Sequence, residues 1–256
     1  MSFFINSTKL KEAYFNGSEV SSIYYNNTLV WEASAWPGWA NATWEDVYNL
    51  CISKQNGDID AWPEDVVLGA TKTVTLSTAV LGSTSAEMMI IGLDIDGSGV
   101  ITFQSKGLLL NATSYGASTC IWNGSYVRNE CQNFYNYCEA KPYIKTLSKA
   151  YYYGQYTIDT KGYMDDPVWV TSEAEMGLSA NQKGAEYTNG VSTAYPYLTT
   201  AANRIKYDPN GNCYVYWTRT VYNWNKGAAS IVLTDGSIGG GEYGGLCRFA
   251  PCFAIG

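Results

Sequence analysis

The chain has 256 residues, 46% of them hydrophobic and only 15% charged, with a formal net charge of −7 at pH 7. That length allows one large domain, or one domain and a small appendage, around a sizeable core. The acidic balance and the lack of a basic patch argue against nucleic acid as a main partner, because phosphate contact needs clustered Lys and Arg. No apolar run approaches the length of a membrane span, so no membrane insertion is expected. Histidine is absent, which removes the commonest general base, the usual zinc ligand and every Ser-His or Cys-His nucleophile. The seven cysteines (51, 120, 131, 138, 213, 247 and 252) are odd in number and form no Cys-x-x-Cys. They read as free thiols rather than a disulfide scaffold. The start, Met-Ser-Phe-Phe-Ile-Asn-Ser-Thr-Lys, has no charged opening followed by an apolar stretch, so no signal peptide is expected.

Residues 9–32 contain a short repeat: Tyr14-Phe-Asn-Gly-Ser-Glu-Val20 recurs as Tyr24-Tyr-Asn-Asn-Thr-Leu-Val30. Each copy reads as strand, Asn-Gly or Asn-Asn turn, strand, the pattern of a tight hairpin. So few residues cannot bury a core of their own. Residues 1–34 are therefore expected to be a hairpin module that attaches to a partner or oligomerises; the plainer alternative is a hairpin packed on the main domain. The run Ser34-Ala-Trp-Pro-Gly38 reads as a boundary, with the main domain over 40–256.

Thr43 opens a helix as N-cap, with Asp46 at the capping-box position, Val47, Leu50 and Cys51 on its apolar face, and Lys54 and Asn56-Gly57 at its end. Residues 66–68, 71–76, 88–93 and 100–104 read as a meander of strands. Between the last two, Asp94, Asp96 and Ser98 match the first ligand positions of a calcium loop, with Gly99 following. Ser105, however, stands where the bidentate Glu would be, which favours a hairpin turn. Residues 122–140 give the clearest long helix, capped by Ser125, with Tyr126, Val127, Cys131, Phe134, Tyr135 and Cys138 at helical spacing. Arg128 in that helix reads as a structural ion-pair partner. A strand at 146–153, a loop through Tyr163-Met-Asp-Asp-Pro167 and a short buried strand at 168–171 follow. Ser172-x-x-Glu175 is a capping box for a short helix, and Asp208-Pro-Asn-Gly211 is a turn.

From residue 216 onward, apolar runs (216–220, 229–234, 250–255) alternate with stretches rich in Gly, Asn and Tyr, and Asp235-Gly236 signals a tight turn between two strands. Tyr and Trp supply contact area with few rotatable bonds, while Gly and Asn supply an adaptable backbone, the composition of a binding surface. Tyr222, Asn223, Asn225, Ser230, Ile238, Gly240, Tyr243 and Leu246 are expected on or near one exposed face, with Trp224 as an aromatic anchor. The alternative is an ordinary loop-rich β end that uses Gly for turns. The run Gly239-Gly-Gly241 precedes no helix and so is no phosphate cradle.

This C-terminal pattern resembles a known family. Trp217, Arg219, Val232, Asp235, Gly236, Ile238, Pro251, Phe253 and Ile255 match its order of motifs, as do Trp122-Asn-Gly-Ser-Tyr-Val-Arg128 and the set Asp166, Trp169, Val170, Ser172 and Glu175. The family is a domain of unknown function common in gut Firmicutes and their phages. It looks like a C-type-lectin fold of the formylglycine-generating-enzyme subclass, a group that supplies variable proteins of diversity-generating retroelements. Members often carry Gly-Val-Arg-Pro before the last strand, where this chain has Arg248-Phe-Ala-Pro251. The resemblance spans roughly residues 40–256. The fold class expected is α+β, with two main helices and antiparallel strands after a small β-hairpin module; the C-type-lectin-like arrangement is what the resemblance implies.

On the same footing, the chain is expected to be a non-catalytic, phage-encoded binding protein with a variable region at about 216–247. No catalytic residue, metal or cofactor is expected. The implied partners are a host-surface protein or glycan at the C-terminal face and a virion or other structural protein at the N-terminal module. A homotrimer follows by analogy, and a tail-associated place in the virion is expected. Adenine replacement in AAC-type codons can yield Tyr, Asn, Ser, Gly, Ala, Leu and Ile but not Trp, Lys or Glu, so Trp224, Lys226 and Glu242 would be fixed or differently encoded. Two other classes compete. One is a bacterial glycan-binding surface module of fixed specificity. The other is an oxidase of the formylglycine-generating type using Cys247 and Cys252, although Cys252 falls inside the last strand and Cys247 in the loop before it. Glu173 and Glu175, and Asp165 and Asp166, read as cap and turn residues rather than as paired catalytic carboxylates.

Overall fold

The computed structural model describes residues 36–152, 161–178, 194–222 and 227–256, and within residues 14–32 the backbone of four strands. These form two antiparallel hairpins, β1 (Tyr14–Phe15) with β2 (Ser18–Glu19) and β3 (Ser22–Tyr25) with β4 (Thr28–Glu32). The repeat is thus two hairpins, as its pattern predicts, and the turn residues Asn16, Gly17, Asn26 and Asn27 lie outside the described residues.

Helix α1 (Trp44–Gln55) begins with the capping box expected at Thr43 and Asp46: the Asp46 amide donates to Thr43 Oγ1 at 3.1 Å and the Thr43 amide to Asp46 Oδ2 at 2.7 Å. The two orphan amides satisfied in this way fix where the helix starts. Its buried residues Trp44, Val47, Leu50 and Cys51 face the main sheet. That sheet runs β12-β17-β7-β6-β5 and is antiparallel throughout: β5 (Thr71–Val80), β6 (Ser83–Leu93), β7 (Ile101–Ser105), β12 (Val168–Trp169) and β17 (Cys252–Ile255). β9 (Ile144–Lys145) pairs with β17 beyond β12. The C-terminal strand is therefore an interior strand of the sheet, with partners on both sides, and all four of its residues are buried. Trp44 meets Phe103 and Phe253 edge-on, with ring centroids 5.4 and 5.6 Å apart, the arrangement aromatic quadrupoles favour.

Strand β8 (Thr113–Ser114) precedes helix α2 (Tyr126–Tyr137), which is shorter than the 122–140 expected. Ser125 Oγ accepts from the Arg128 amide and starts the helix, and Cys138 leaves helical geometry to bridge Leu76 of β5. Val127, Cys131 and Phe134 are buried along one side. Arg128 is the ion-pair partner its position suggests, with Nε 2.8 Å from Asp166 Oδ1.

Two expectations about strands are corrected. Residues 66–68 are no strand. The Val66 amide donates to the Pro63 carbonyl and the Ala70 amide to the Val67 carbonyl, so the segment turns, and Val67 and Leu68 are exposed. Three β-prone residues without a partner strand do not make a sheet. The stretch through Tyr163 to Asp166 is no loop. It is strand β11 (Lys161–Asp166), paired over its length with β10 (Leu147–Tyr152). The pairing overrides Gly162 and two aspartates, and Asp166, fully buried, accepts from Trp122 Nε1 at 2.7 Å as well as from Arg128.

The turn at Asp94–Gly99 joins β6 to β7 as the hairpin reading expects, with the Gly99 amide donating to Asp94 Oδ1 at 2.6 Å. The third sheet is β13 (Tyr216–Val221), β14 (Ala228–Val232) and β15 (Ile238–Glu242), and β16 (Leu246–Cys247) returns to pair with β8. The short helix α3 (Ala201–Arg204) lies before β13 in the chain. All seven cysteines are free. Cys247 lies in β16 rather than in a loop and is buried, and burial pushes its thiol up to about 12. The described residues mix a few helices with antiparallel sheet and are mostly β, which agrees with the α+β class expected.

Candidate ligand-binding face

The C-terminal sheet is held from beneath by a buried polar frame. In β13 the register against β14 slips between Trp217 and Val221. Such an irregularity takes a residue out of the ladder and re-aims it. Here the residue is Arg219, whose backbone amide donates to the Thr171 carbonyl at 3.1 Å. Its guanidinium, 1% exposed, donates to the carbonyls of Ala150 (2.9 Å) and Val170 (2.8 Å) and to Glu175 Oε2 (2.7 Å). Thr218, in the same irregular segment, donates through Oγ1 to the Ser230 carbonyl at 2.9 Å and so ties β13 to β14.

Glu175 is the hub. Its Oε2 also accepts from the Ser172 amide (3.0 Å), while its own amide donates to Ser172 Oγ (3.2 Å), the reciprocal capping box expected. Its Oε1 accepts from Lys149 Nζ at 3.2 Å. Burial alone would raise this carboxyl, but the charges of Arg219 and Lys149 and the hydrogen bonds from Arg219 and Ser172 outweigh it and hold it at about 2. Lys149 reaches Asp96 Oδ1 (2.9 Å) and the Tyr195 hydroxyl (2.9 Å), and lies 4.0 Å from the Trp169 ring centroid. Tyr195 donates in turn to Asp96 Oδ2 at 2.8 Å. Asp96, read from sequence only against a calcium loop, is thus engaged by Lys149, Tyr195 and Thr102. Buried charges survive only when paired and hydrogen-bonded, and this set is both.

Glu173, two residues from the hub, has a different environment. It is 2% exposed, and its side-chain partner is the Ser230 hydroxyl. Burial raises its carboxyl from the ordinary 4.5 to about 7, the bond from Ser230 opposing. Below pH 4.5 the group is protonated in both folded and unfolded chains. Between 4.5 and 7 the unfolded chain ionises while the folded one keeps its proton, so stability falls as pH rises and levels off above 7. Glu173→Gln is therefore expected to be the more stable protein at pH 8, by about 3 kcal/mol for a shift of that size, and to converge on the parent near pH 4. Urea unfolding across that range is the measurement; equal stability at pH 8 would contradict the assignment.

Strand β15 carries the open side of the sheet. Its three central residues are Gly239, Gly240 and Gly241, in extended strand rather than in turns. A Cβ on Gly241 would stand 2.7 Å from the Trp217 ring, and one on Gly240 would stand 2.4 Å from the Tyr222 ring. The glycines thus let two aromatic rings close on opposite faces of one strand. Trp217 is fully buried, donates from Nε1 to the Thr113 carbonyl at 2.8 Å, and meets Tyr115 edge-on at 5.2 Å. Tyr222 is half-buried. Tyr243, within the turn closed by Gly245 N to the Glu242 carbonyl, and Leu246, just after it, are exposed, Leu246 by 72%.

The residues expected on this face divide as follows. Tyr222 and Gly240 are brought together, Tyr243 and Leu246 are exposed beside them in sequence, and Ile238 is half-buried against the core. Ser230 is not exposed: it is fully buried, its hydroxyl turned onto Glu173. Asn223, Trp224 and Asn225 lie outside the described residues. Sequence reading missed the frame of Asp96, Lys149, Glu173, Glu175, Tyr195 and Arg219. A usable signal existed at Arg219, which interrupts a strand whose neighbours are apolar or β-branched, where a charge needs a buried partner.

Fold and site together define an α+β protein with a glycine-rich sheet edge mounted on a buried ion-pair frame. The chain belongs to the family described as Domain of unknown function (DUF6273), which matches residues 104–256 and so includes the whole C-terminal sheet. No curated protein and no solved structure matches it.

Proposed function

We propose that the chain is a non-catalytic binding protein whose C-terminal end presents an exchangeable surface to a ligand on a host cell. The observation that carries this reading is the contrast within one sheet. Arg219 and Glu175 lock β13 from beneath, while exposed Gly240 of β15 lies against the half-buried Tyr222, and Tyr243 and Leu246, which follow in sequence, are exposed. Rigid support under an irregular, aromatic and glycine-rich surface is the usual construction of a binding site. The likeness of the motif order to C-type-lectin-fold variable proteins points the same way, with the N-terminal hairpins as the attachment to a virion and the ligand a protein or glycan. The thiol chemistry of an oxidase has no support in the cysteines, since burial raises Cys247 and Cys252 above the ordinary thiol value and a reactive thiol needs the reverse.

The test is sequencing of the encoding locus across a population. Codons for Tyr222, Gly240, Tyr243 and Leu246 are expected to scatter at adenines of a neighbouring near-copy template, while those for Trp217, Arg219 and Ser230 stay constant. A uniform 3′ end without a template would overturn the diversified reading and leave a surface of fixed specificity.

A further inference from the structure

The hydrogen-bond phase of the C-terminal hairpin determines which backbone groups face outward. Leu233 N donates to Ser237 O at 2.8 Å and Tyr243 N to Gly227 O at 3.0 Å. Bonded pairs in an antiparallel ladder recur every second residue. Given the register of β14 on β15, the bonded pairs are therefore Ile231 with Gly239 and Ala229 with Gly241. Ile238, Gly240 and Glu242 then direct their amides and carbonyls away from β14. β15 ends its sheet, and apart from the Glu242 carbonyl, taken by Gly245, these groups have no backbone partner among the described residues. The opposite margin is different, since Trp217 N donates to Arg248 O and Arg219 N to Thr171 O. Natural proteins guard a free edge with Lys, Pro, a bulge or a covering segment. β15 has neither Lys nor Pro, no register shift against β14, and three residues without side chains.

We infer that the ligand of this face includes an extended polypeptide segment that adds to β15 as a further strand, with a basic residue near Glu242. The inference rests on the reading that this end of the molecule binds a ligand, and it names that ligand's class. Outward donors and acceptors repeat along the edge at about 6.8 Å, two residues of strand rise, a spacing that an extended peptide backbone matches. Glycine leaves the approach free of side chains, so the main chain supplies affinity, while Tyr222, which lies against Gly240, and Tyr243, which follows Glu242, supply selectivity. Glu242 is exposed and the chain carries a net charge of −7, which favours a basic segment over a second copy of this acidic chain.

The probe is an end-blocked peptide of eight residues, alternating Lys with Thr and Val, titrated into the full chain and followed by amide NMR and hydrogen exchange. A dissociation constant on the order of 0.1–1 mM is expected. Exchange should slow at least about tenfold at Gly240 and Glu242, with Gly239 and Gly241 already protected by β14. Glu242→Pro removes one outward donor without touching the ladder and should abolish binding. Glu242→Gln keeps the donor and should only weaken it. A peptide N-methylated on alternate amides should bind in one phase and not in the other. Unchanged exchange at Gly240 and Glu242 with peptide at several millimolar would overturn the proposal. A glycan that shifts Tyr222 and Tyr243 while Gly240 exchanges freely would also overturn it and leave the ligand-binding reading intact.

Discussion

Arg219→Ala is expected to destabilise the protein by about 3–5 kcal/mol, the cost of removing one partner from a buried, hydrogen-bonded ion pair. The guanidinium makes three strong bonds at 2.7–2.9 Å, to Glu175 and to the carbonyls of Ala150 and Val170. Its loss leaves two buried carbonyls without that donor and leaves Glu175 with Lys149 and the Ser172 amide. Arg219→Lys should recover little, because an ammonium cannot present the planar fork that reaches three acceptors at once. The acid limb of the stability profile should move as well. Glu175 is held at about 2 in the folded chain against an ordinary 4.5, so its contribution is present above pH 4.5 and lost as pH falls toward 2. In Arg219→Ala that loss should be smaller and complete at higher pH. Urea unfolding at several pH values measures both effects, and a destabilisation under about 1 kcal/mol would mean that the frame does not hold the sheet.

Gly236→Ala should be the second severe change, at roughly 3 kcal/mol or more. Thr234, Asp235 and Gly236 form a three-residue hairpin loop. Leu233 O accepts from Gly236 N at 2.9 Å, Leu233 N donates to Ser237 O, and Gly236 is left-handed with φ +79°. That combination, a turn followed by a left-handed glycine, is a standard hairpin closure. A Cβ at this position would meet the Ala201 carbonyl oxygen at 2.1 Å, a backbone atom that cannot swing aside. It would also disturb the Gly236 carbonyl, which accepts from Arg204 Nε at 2.8 Å. The loop is thus bolted to α3, and freeing it should loosen β15. Thermal unfolding together with exchange at Gly239 and Gly241 would detect this; protection unchanged from the parent would refute it.

Much of the fold was legible because its signals are local. Thr43 with Asp46, Ser125, and Ser172 with Glu175 announce helix or turn starts within four residues of sequence, and each bond expected from them is present. Asp235-Gly236 and the two N-terminal hairpins were readable for the same reason. What was illegible depends on distant partners. β11 exists because β10 pairs with it, and nothing within Gly162 to Asp166 announces that. The polar frame joins Asp96, Lys149, Glu175, Tyr195 and Arg219, residues from five separate parts of the chain. Ser230 looked like a surface residue among Gly and Ala, and only the placement of Glu173 turns it inward.

The two rings closed on β15 have a consequence for how the hairpin would respond to change. Gly241 cannot grow without displacing the fully buried Trp217, whereas the nearest atoms to a Cβ on Gly240 belong to Tyr222, a half-buried ring. Across the ladder, buried Ser230 stands directly opposite exposed Gly240. Along β15, a position that refuses novelty therefore stands next to one that accepts it, whereas Tyr216–Val221 and residues 229–232 are buried as blocks. A map of tolerated substitutions should show two intolerant runs, 216–221 and 229–232, and an alternation with the two-residue period of a strand only over 239–241.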